Sequence, residues 1–157
     1  MQQSEELLKA GLDGLARQLV MAIKVGREMN GEEYMQRLEQ EFRDYGRKIA
    51  APLAKSMGIK EGEADCLALG KIIDYFDSTT GAQWEGYVQR SPDAFEKRIT
   101  SCPVARTYLK EPDICGRLSL AMAEEMFKIY NPKASVYFAE LLCKGDDSCR
   151  VKIDIKK

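Results

Sequence analysis

Five cysteines, Cys66, Cys102, Cys115, Cys143 and Cys149, stand in a chain of 157 residues that contains no histidine. Their chemistry is that of the thiol and the thiolate: soft ligands for a metal, nucleophiles when ionised, or small apolar side chains when buried. An odd number of them, in a chain long enough to build its own core, argues for free thiols, a metal or a reactive residue rather than a disulfide framework. Four of them fall where a strand or helix is expected to begin or end, which points to convergence on one site. The successive gaps from Cys102 onward are 13, 28 and 6 residues, with no C-x-x-C pair and no standard zinc module. Spacing alone therefore leaves core packing and metal binding both open.

Three or four thiolates around one point would suit Zn²⁺ or an iron centre, and a carboxylate such as Asp113 or Glu140 would complete the shell. The candidate ligands are Cys102, Cys115, Cys143, Cys149 and Glu140. Cys102 and Cys115 are also the candidate nucleophiles. Cys115 falls in the first turn of an expected helix, where unpaired N–H groups and the helix dipole are expected to lower a thiol pKa. Cys102 ends a strand just before Pro103, from which its side chain can project from the sheet rim toward that helix. Cys66 stands apart and is expected in the core. Glu124 and Glu125 lie mid-helix and read as solvated carboxylates or as a general acid or base. Trp84 and the tyrosines read as core or as the wall of a pocket for a planar ligand, and residues 144–147 read as turn chemistry.

The elements that must position these groups follow from periodicity. Leu8, Leu12, Leu15, Leu19 and Ile23 predict a helix over residues 3–29 that stops at Asn30-Gly31. Tyr34, Leu38, Phe42, Tyr45, Ile49 and Leu53 predict an antiparallel second helix, kinked or shortened at Pro52. A third spans 63–76 and ends at the polar run Asp77-Ser78-Thr79-Thr80-Gly81. The period then changes to 2, giving paired strands from Ala82 and from Phe95 across Ser91-Pro92-Asp93. Cys102-Pro103 opens a short helical turn, a helix follows over 113–130, and Asn131-Pro132 stops it. Strands 135–143 and 149–155 form a last hairpin around a five-residue loop, with Cys143 expected directly opposite Cys149. Val151, Ile153 and Ile155 mark the buried face, and Tyr137, Ala139 and Leu141 are expected to share it.

The predicted fold is α+β: long N-terminal helices packed with an antiparallel four-stranded sheet made of two hairpins separated by a helix. Residues 1–157 form one domain, with a helical half over 1–80 and a hairpin-helix-hairpin half over 82–157 that carries the cysteines. The 24 basic and 25 acidic residues are interspersed, so no basic stripe is expected to follow nucleic acid. No apolar run approaches the length of a membrane span and no leader pattern is present, so the expected location is cytoplasmic. The first two helices leave apolar edges suited to pairing with a second copy.

The order of short motifs is informative as a set. The run Lys97-Arg98-Ile99-Thr100-Ser101-Cys102-Pro103-Val104-Ala105, then Cys115, then Tyr130-Asn131-Pro132-Lys133, then Gly145-Asp146-Asp147-Ser148-Cys149-Arg150-Val151 resembles the L-2-amino-thiazoline-4-carboxylic acid hydrolases over about residues 82–156. The ending also resembles the 4-vinyl reductase domain, a small-molecule-binding module in which cysteines and a glutamate can hold zinc; here Glu140, Cys143, Gly145, Asp146 and Cys149 carry the likeness, with the two cysteines closer together. The first resemblance implies water addition to C2 of a thiazoline ring, through a metal-bound hydroxide or a thiolate at Cys102 or Cys115. The second implies a sensor that binds a small ligand or a metal without turnover.

Overall fold

A computed structural model describes residues 2–156. Helix α1 (Gln2–Met57) is two helices joined across Gly31, whose φ of 61° and ψ of −145° lie where a side chain is strained and glycine is not. The bend falls at the predicted stop, and Pro52 is carried inside the second half. Val20 and Ile23 before the bend close on Met35 after it, together with Ile114 and Leu118. The second half runs beside α4 (Leu120–Tyr130), and Gly46 makes that approach possible: a Cβ there would sit 2.3 Å from the carbonyl oxygen of Met122.

Helix α2 (Cys66–Thr80) begins where the Asp65 carboxylate accepts from the Ala68 amide at 2.8 Å, and ends at Gly81 in the left-handed conformation. The run Asp77-Ser78-Thr79-Thr80 is therefore helix, not the predicted turn. The hydroxyls of Ser78, Thr79 and Thr80 donate to the carbonyls of Tyr75 and Phe76, at 2.8 to 2.9 Å, and so take part in the last turn.

Strands β1 (Gln83–Arg90), β2 (Ala94–Ser101), β3 (Ala134–Glu140) and β4 (Cys149–Ile155) form one antiparallel sheet in the order β1-β2-β4-β3. The two predicted hairpins are thus joined by pairing of β2 with β4, from Ala94 opposite Asp154 to Ile99 opposite Cys149. Between them the chain makes a short helix α3 (Ala105–Tyr108) and a wide π-helical turn (Ile114–Ser119) that leads into α4. The core lies between one sheet face, with Phe95, Ile99, Val136, Val151 and Ile153, and the apolar sides of α1, α2 and α4. Tyr130 is fully buried there and donates to the Ala50 carbonyl at 2.8 Å, tying α4 to α1.

The last hairpin differs from expectation in two respects. Strand β3 ends at Glu140, because Leu142–Lys144 forms a 3-10 turn held by Asp146, whose carboxylate accepts from the Leu141 amide at 2.7 Å. Val136 and Phe138 face the core, and Tyr137 and Ala139 face outward, the reverse of the predicted parity. A register shift between Phe138 and Glu140 breaks the alternation that would have carried inward-facing Leu141 back along the strand.

Gly46→Ala tests the closest helix approach. The added methyl must separate α1 from α4, so urea unfolding is expected to show a loss of about 1–3 kcal/mol. An unchanged midpoint would mean that the two helices move apart without cost.

Candidate functional site: a thiol cluster

Four chain segments bring Cys102, Cys115, Cys143 and Cys149 together at one end of the sheet. Cys102 follows the last residue of β2, and its carbonyl accepts from the Ala105 amide at 3.1 Å, turning the chain into α3. Cys115 sits in the π-helical turn, Cys143 in the 3-10 turn, and Cys149 opens β4. The Leu142 amide donates to the Cys149 sulfur at 3.3 Å, and the Cys143 sulfur lies 3.8 Å from the Pro112 carbonyl oxygen. The two segments on either side of Cys143 are thus held to its neighbours in space.

The sulfurs influence one another directly. Cys115 donates to Cys143, and that bond, reinforced by burial and by the fields of Cys143, Cys102 and Cys149, raises the Cys115 thiol well above its ordinary range. The same bond holds Cys143 below it, so the two sulfurs titrate as a coupled pair. Burial raises Cys102 against the opposing pull of the Val104 and Ala105 amides. Cys149 is pushed up to about 11, chiefly by burial. The expected lowering of Cys115 by its helix start is overturned: engagement as donor to another sulfur, together with partial burial, outweighs the dipole. Cys143 and Cys149 do not face each other across the hairpin either. The 3-10 turn takes Cys143 out of the ladder, and Cys149 pairs with Ile99.

The other candidates have separate places. Cys66 is fully buried in the core with its thiol 3.6 Å from the Ile153 carbonyl oxygen, and burial raises it to about 11. Glu140 accepts from Ser148 at 2.8 Å and from Arg150 at 3.3 Å. Those bonds, the Ser148 one first, hold its carboxyl below the usual range. Asp113 accepts from Arg27 at 2.8 Å. Glu124 and Glu125 pair with Arg43 and Arg47 on the seam between α1 and α4. Residues 144–147 are the turn they were expected to be, with Gly145 left-handed.

Sequence reasoning passed over a charged group beside the thiols. Lys97 is fully buried; its ammonium lies 2.7 Å from Asp74 and 2.6 Å from Asp77, and 3.4 Å from the centre of the Trp84 ring. Tyr87 donates to the far oxygen of Asp74 at 2.7 Å. Burial raises the Asp77 carboxyl more than its ion pair with Lys97 lowers it, and the Asp77 charge acts in turn on Cys102 and Cys149. A signal was present in the sequence: Lys97 stands between Phe95 and Ile99, on the inward parity of its strand.

No helix among the described residues is long and apolar enough to cross a membrane. Among them, no group of three or more Cys, Asp or Glu side chains stands as a ready shell for a metal ion. The donor set is soft, but its arrangement is that of hydrogen-bonded thiols.

No family model matches the sequence and no curated protein matches it, so the hydrolase resemblance rests on its motifs alone. Two solved structures are similar to this chain. Trafficking protein particle complex subunit 3 from Naegleria fowleri, covalently bound to palmitic acid, is 14% identical over 90% of this chain and 95% of its own, with a TM-score of 0.59. The phenol-responsive sensory domain of the transcription activator PoxR, solved with phenol, is 13% identical over 94% of this chain and 74% of its own, with a TM-score of 0.48. At 14% identity the likeness to the trafficking subunit is one of fold.

Lys97→Met leaves Asp77 buried without its cation. Urea unfolding is expected to show a loss of about 3–5 kcal/mol, and adding Asp77→Asn should recover most of it. A single variant as stable as the parent would show that water reaches this group.

Proposed function

We propose that the chain is a non-catalytic binding module whose thiol cluster takes up a soft metal ion such as Zn²⁺ and whose neighbouring groove takes a small anionic ligand. What supports this reading is the meeting of four thiols from four separate segments at one end of the sheet, with Cys149 accepting from the Leu142 amide and Cys143 lying against the Pro112 carbonyl. Cys102, Cys115, Cys143 and Cys149 are the residues that would hold the ion; they do not stand as a ready shell, so uptake would require the Cys115–Cys143 hydrogen bond to give way and the two turns to close on the ion. Bound there, it would supply a tie between the end of β2, the start of β4 and the two turns between them. Uptake would release the protons these thiols hold, which makes occupancy depend on pH. Soft sulfur donors select zinc or iron over the hard cations.

Binding is favoured over turnover by the state of the thiols. A thiol raised by burial is a poor nucleophile, and both candidate nucleophiles, Cys102 and Cys115, are raised. A hollow of about 740 Å³ between the first half of α1 and α3 adjoins the cluster through Pro103. Arg17, Arg106 and Lys110 line it against the single carboxylate of Asp13, which is itself engaged by Thr107 and Arg17. That balance suits a carboxylate, and the thiazoline acid implied by the sequence resemblance carries one.

Metal analysis of the purified protein tests the cluster. About one equivalent of zinc or iron per chain is expected, lost in Cys115→Ser and in Cys149→Ser; metal-free protein whose thiols alkylate slowly would sink the reading. For the groove, L-2-amino-thiazoline-4-carboxylate is expected to bind saturably without release of N-carbamoyl cysteine. Arg106→Glu should weaken that binding about tenfold, the worth of one charge pair, and turnover to carbamoyl cysteine would return the protein to the hydrolases.

A further inference from the structure

The first half of α1 is apolar on two sides. Ala16, Val20 and Ile23 face inward and are buried. On the opposite side Leu7, Leu8, Leu15, Met21, Val25 and Met29 are all exposed, between 53% and 76%. At 100° per residue, positions 7, 11, 14, 18, 21 and 25 fall on one seam with the 4-3-4-3-4 spacing of a helix that packs on another helix. Among these six positions Gln18 is the one polar residue and none is charged; Glu28 stands at the next step of the spacing, beside Met29. From Leu7 to Met29 the stripe is about 33 Å long at 1.5 Å per residue.

We infer that this stripe is the interface of a homodimer in which two copies of the first half of α1 pack antiparallel about a two-fold axis at Gln18. The stripe is complementary to itself in that register: Leu7 meets Met29, Gly11 meets Val25, Gly14 meets Ala22, and Leu15 meets Met21. Gly11 and Gly14 have nothing within 4 Å of where a Cβ would stand, so within one chain they leave open notches. Antiparallel pairing fills each notch with a side chain from the other copy, whereas parallel pairing sets glycine against glycine and Met21 against Met21.

Area argues for the same occupant. Six aliphatic side chains exposed by more than half leave on the order of 300–500 Å² of apolar surface per copy, at the top of what monomers leave uncovered. Covering both copies, with the backbone at the notches and the flanking stems, reaches the roughly 1,200 Å² at which stable interfaces begin. A two-fold contact needs nothing but the chain itself, and every residue of the stripe is used twice. Met21 also lines a hollow of about 290 Å³ with Val20 and Lys24, so the second helix roofs that hollow.

Sedimentation of the full chain tests the inference. At about 10 μM the protein is expected at twice the chain mass. Val25→Glu, which buries an unpaired carboxylate in the interface, should raise the dissociation constant at least about 100-fold. Gly14→Leu, which strengthens an isolated helix but fills a notch, should do the same while raising the helicity of the monomer. Mixed Gly11→Cys and Val25→Cys chains should cross-link to each other and not to themselves. A monomeric parent at about 100 μM, a dimer indifferent to both Val25→Glu and Gly14→Leu, or cross-linking of Gly11→Cys to itself would overturn it. So would a dimer lost only on Tyr45→Glu, on the other half of α1.

Discussion

The pairing of β2 with β4 is the constraint on which the rest of the molecule depends. Without it the chain holds two separate hairpins, each marginal by itself. With it, six consecutive pairs from Ala94–Asp154 to Ile99–Cys149 fix one sheet, and the ends of the two central strands come out at the same edge. Cys102 lies three residues past Ile99, so the register that places Ile99 opposite Cys149 also sets the distance between the first and last thiols of the cluster. A slip of one residue would turn one strand over relative to the other, exposing Val151 and Ile153 if β4 moved, or removing Lys97 from its carboxylates if β2 did. The core and the thiol site therefore share one determinant.

The interior next to that edge is sorted by what water would do to each group. Cys102, Cys115 and Cys149 are half-buried, and their thiols are raised because ionising them costs more than their polar neighbours return; Cys143, with a donor thiol and the Lys144 cation close by, is pulled the other way. Lys97 is the centre of an ion group with Asp74, Asp77 and Trp84, each charge held in the interior by its opposite. On the far face of the sheet, Glu96 bridges Arg150 and Lys152, and Arg150 reaches on to Glu140. These partly covered pairs bind neighbouring strands β2, β4 and β3 where apolar side chains would face solvent.

How far the sequence disclosed this depended on whether one local rule acted alone. Strand β4 was legible because Val151 and Ile153 alternate with Arg150, Lys152 and Asp154, and only one face is buried. Strand β3 carries Tyr137 and Phe138 side by side, so its expected parity follows from Cys143 placed opposite Cys149; the 3-10 turn and the register shift between them invert it. The run Asp77-Ser78-Thr79-Thr80 has the composition of a turn; long-range pairing of Asp77 with Lys97 and back-bonding hydroxyls make it helix. The expectation for Cys115 failed for a related reason. Its dipole environment is written in the local sequence, whereas its partner Cys143 lies 28 residues away, and the partner decides the shift.

Both members of the hydrogen-bonded thiol pair stand on backbone that departs from the α-helix, Cys115 on a π-helical turn and Cys143 on a 3-10 turn. Such turns have poorer hydrogen-bond geometry than the helix they replace, and they persist where the surroundings fix them. Here the surroundings do. Arg27 of α1 holds both Glu111 and Asp113 just before the π-helical turn, and Ser119 donates back to the Ile114 carbonyl at 2.8 Å across its widened ring. Asp146 receives the Leu141 amide, and the Cys149 sulfur receives that of Leu142, at the entrance to the 3-10 turn. Continuous α-helix through 114–119 would rotate Cys115 by a further part of a turn relative to Leu118 and the core, and a plain two-residue hairpin would return Cys143 to the ladder. The two irregular turns thus do one thing in common: they set the direction of a sulfur at the expense of regular hydrogen bonding, and separate parts of the chain are held in place to keep them so.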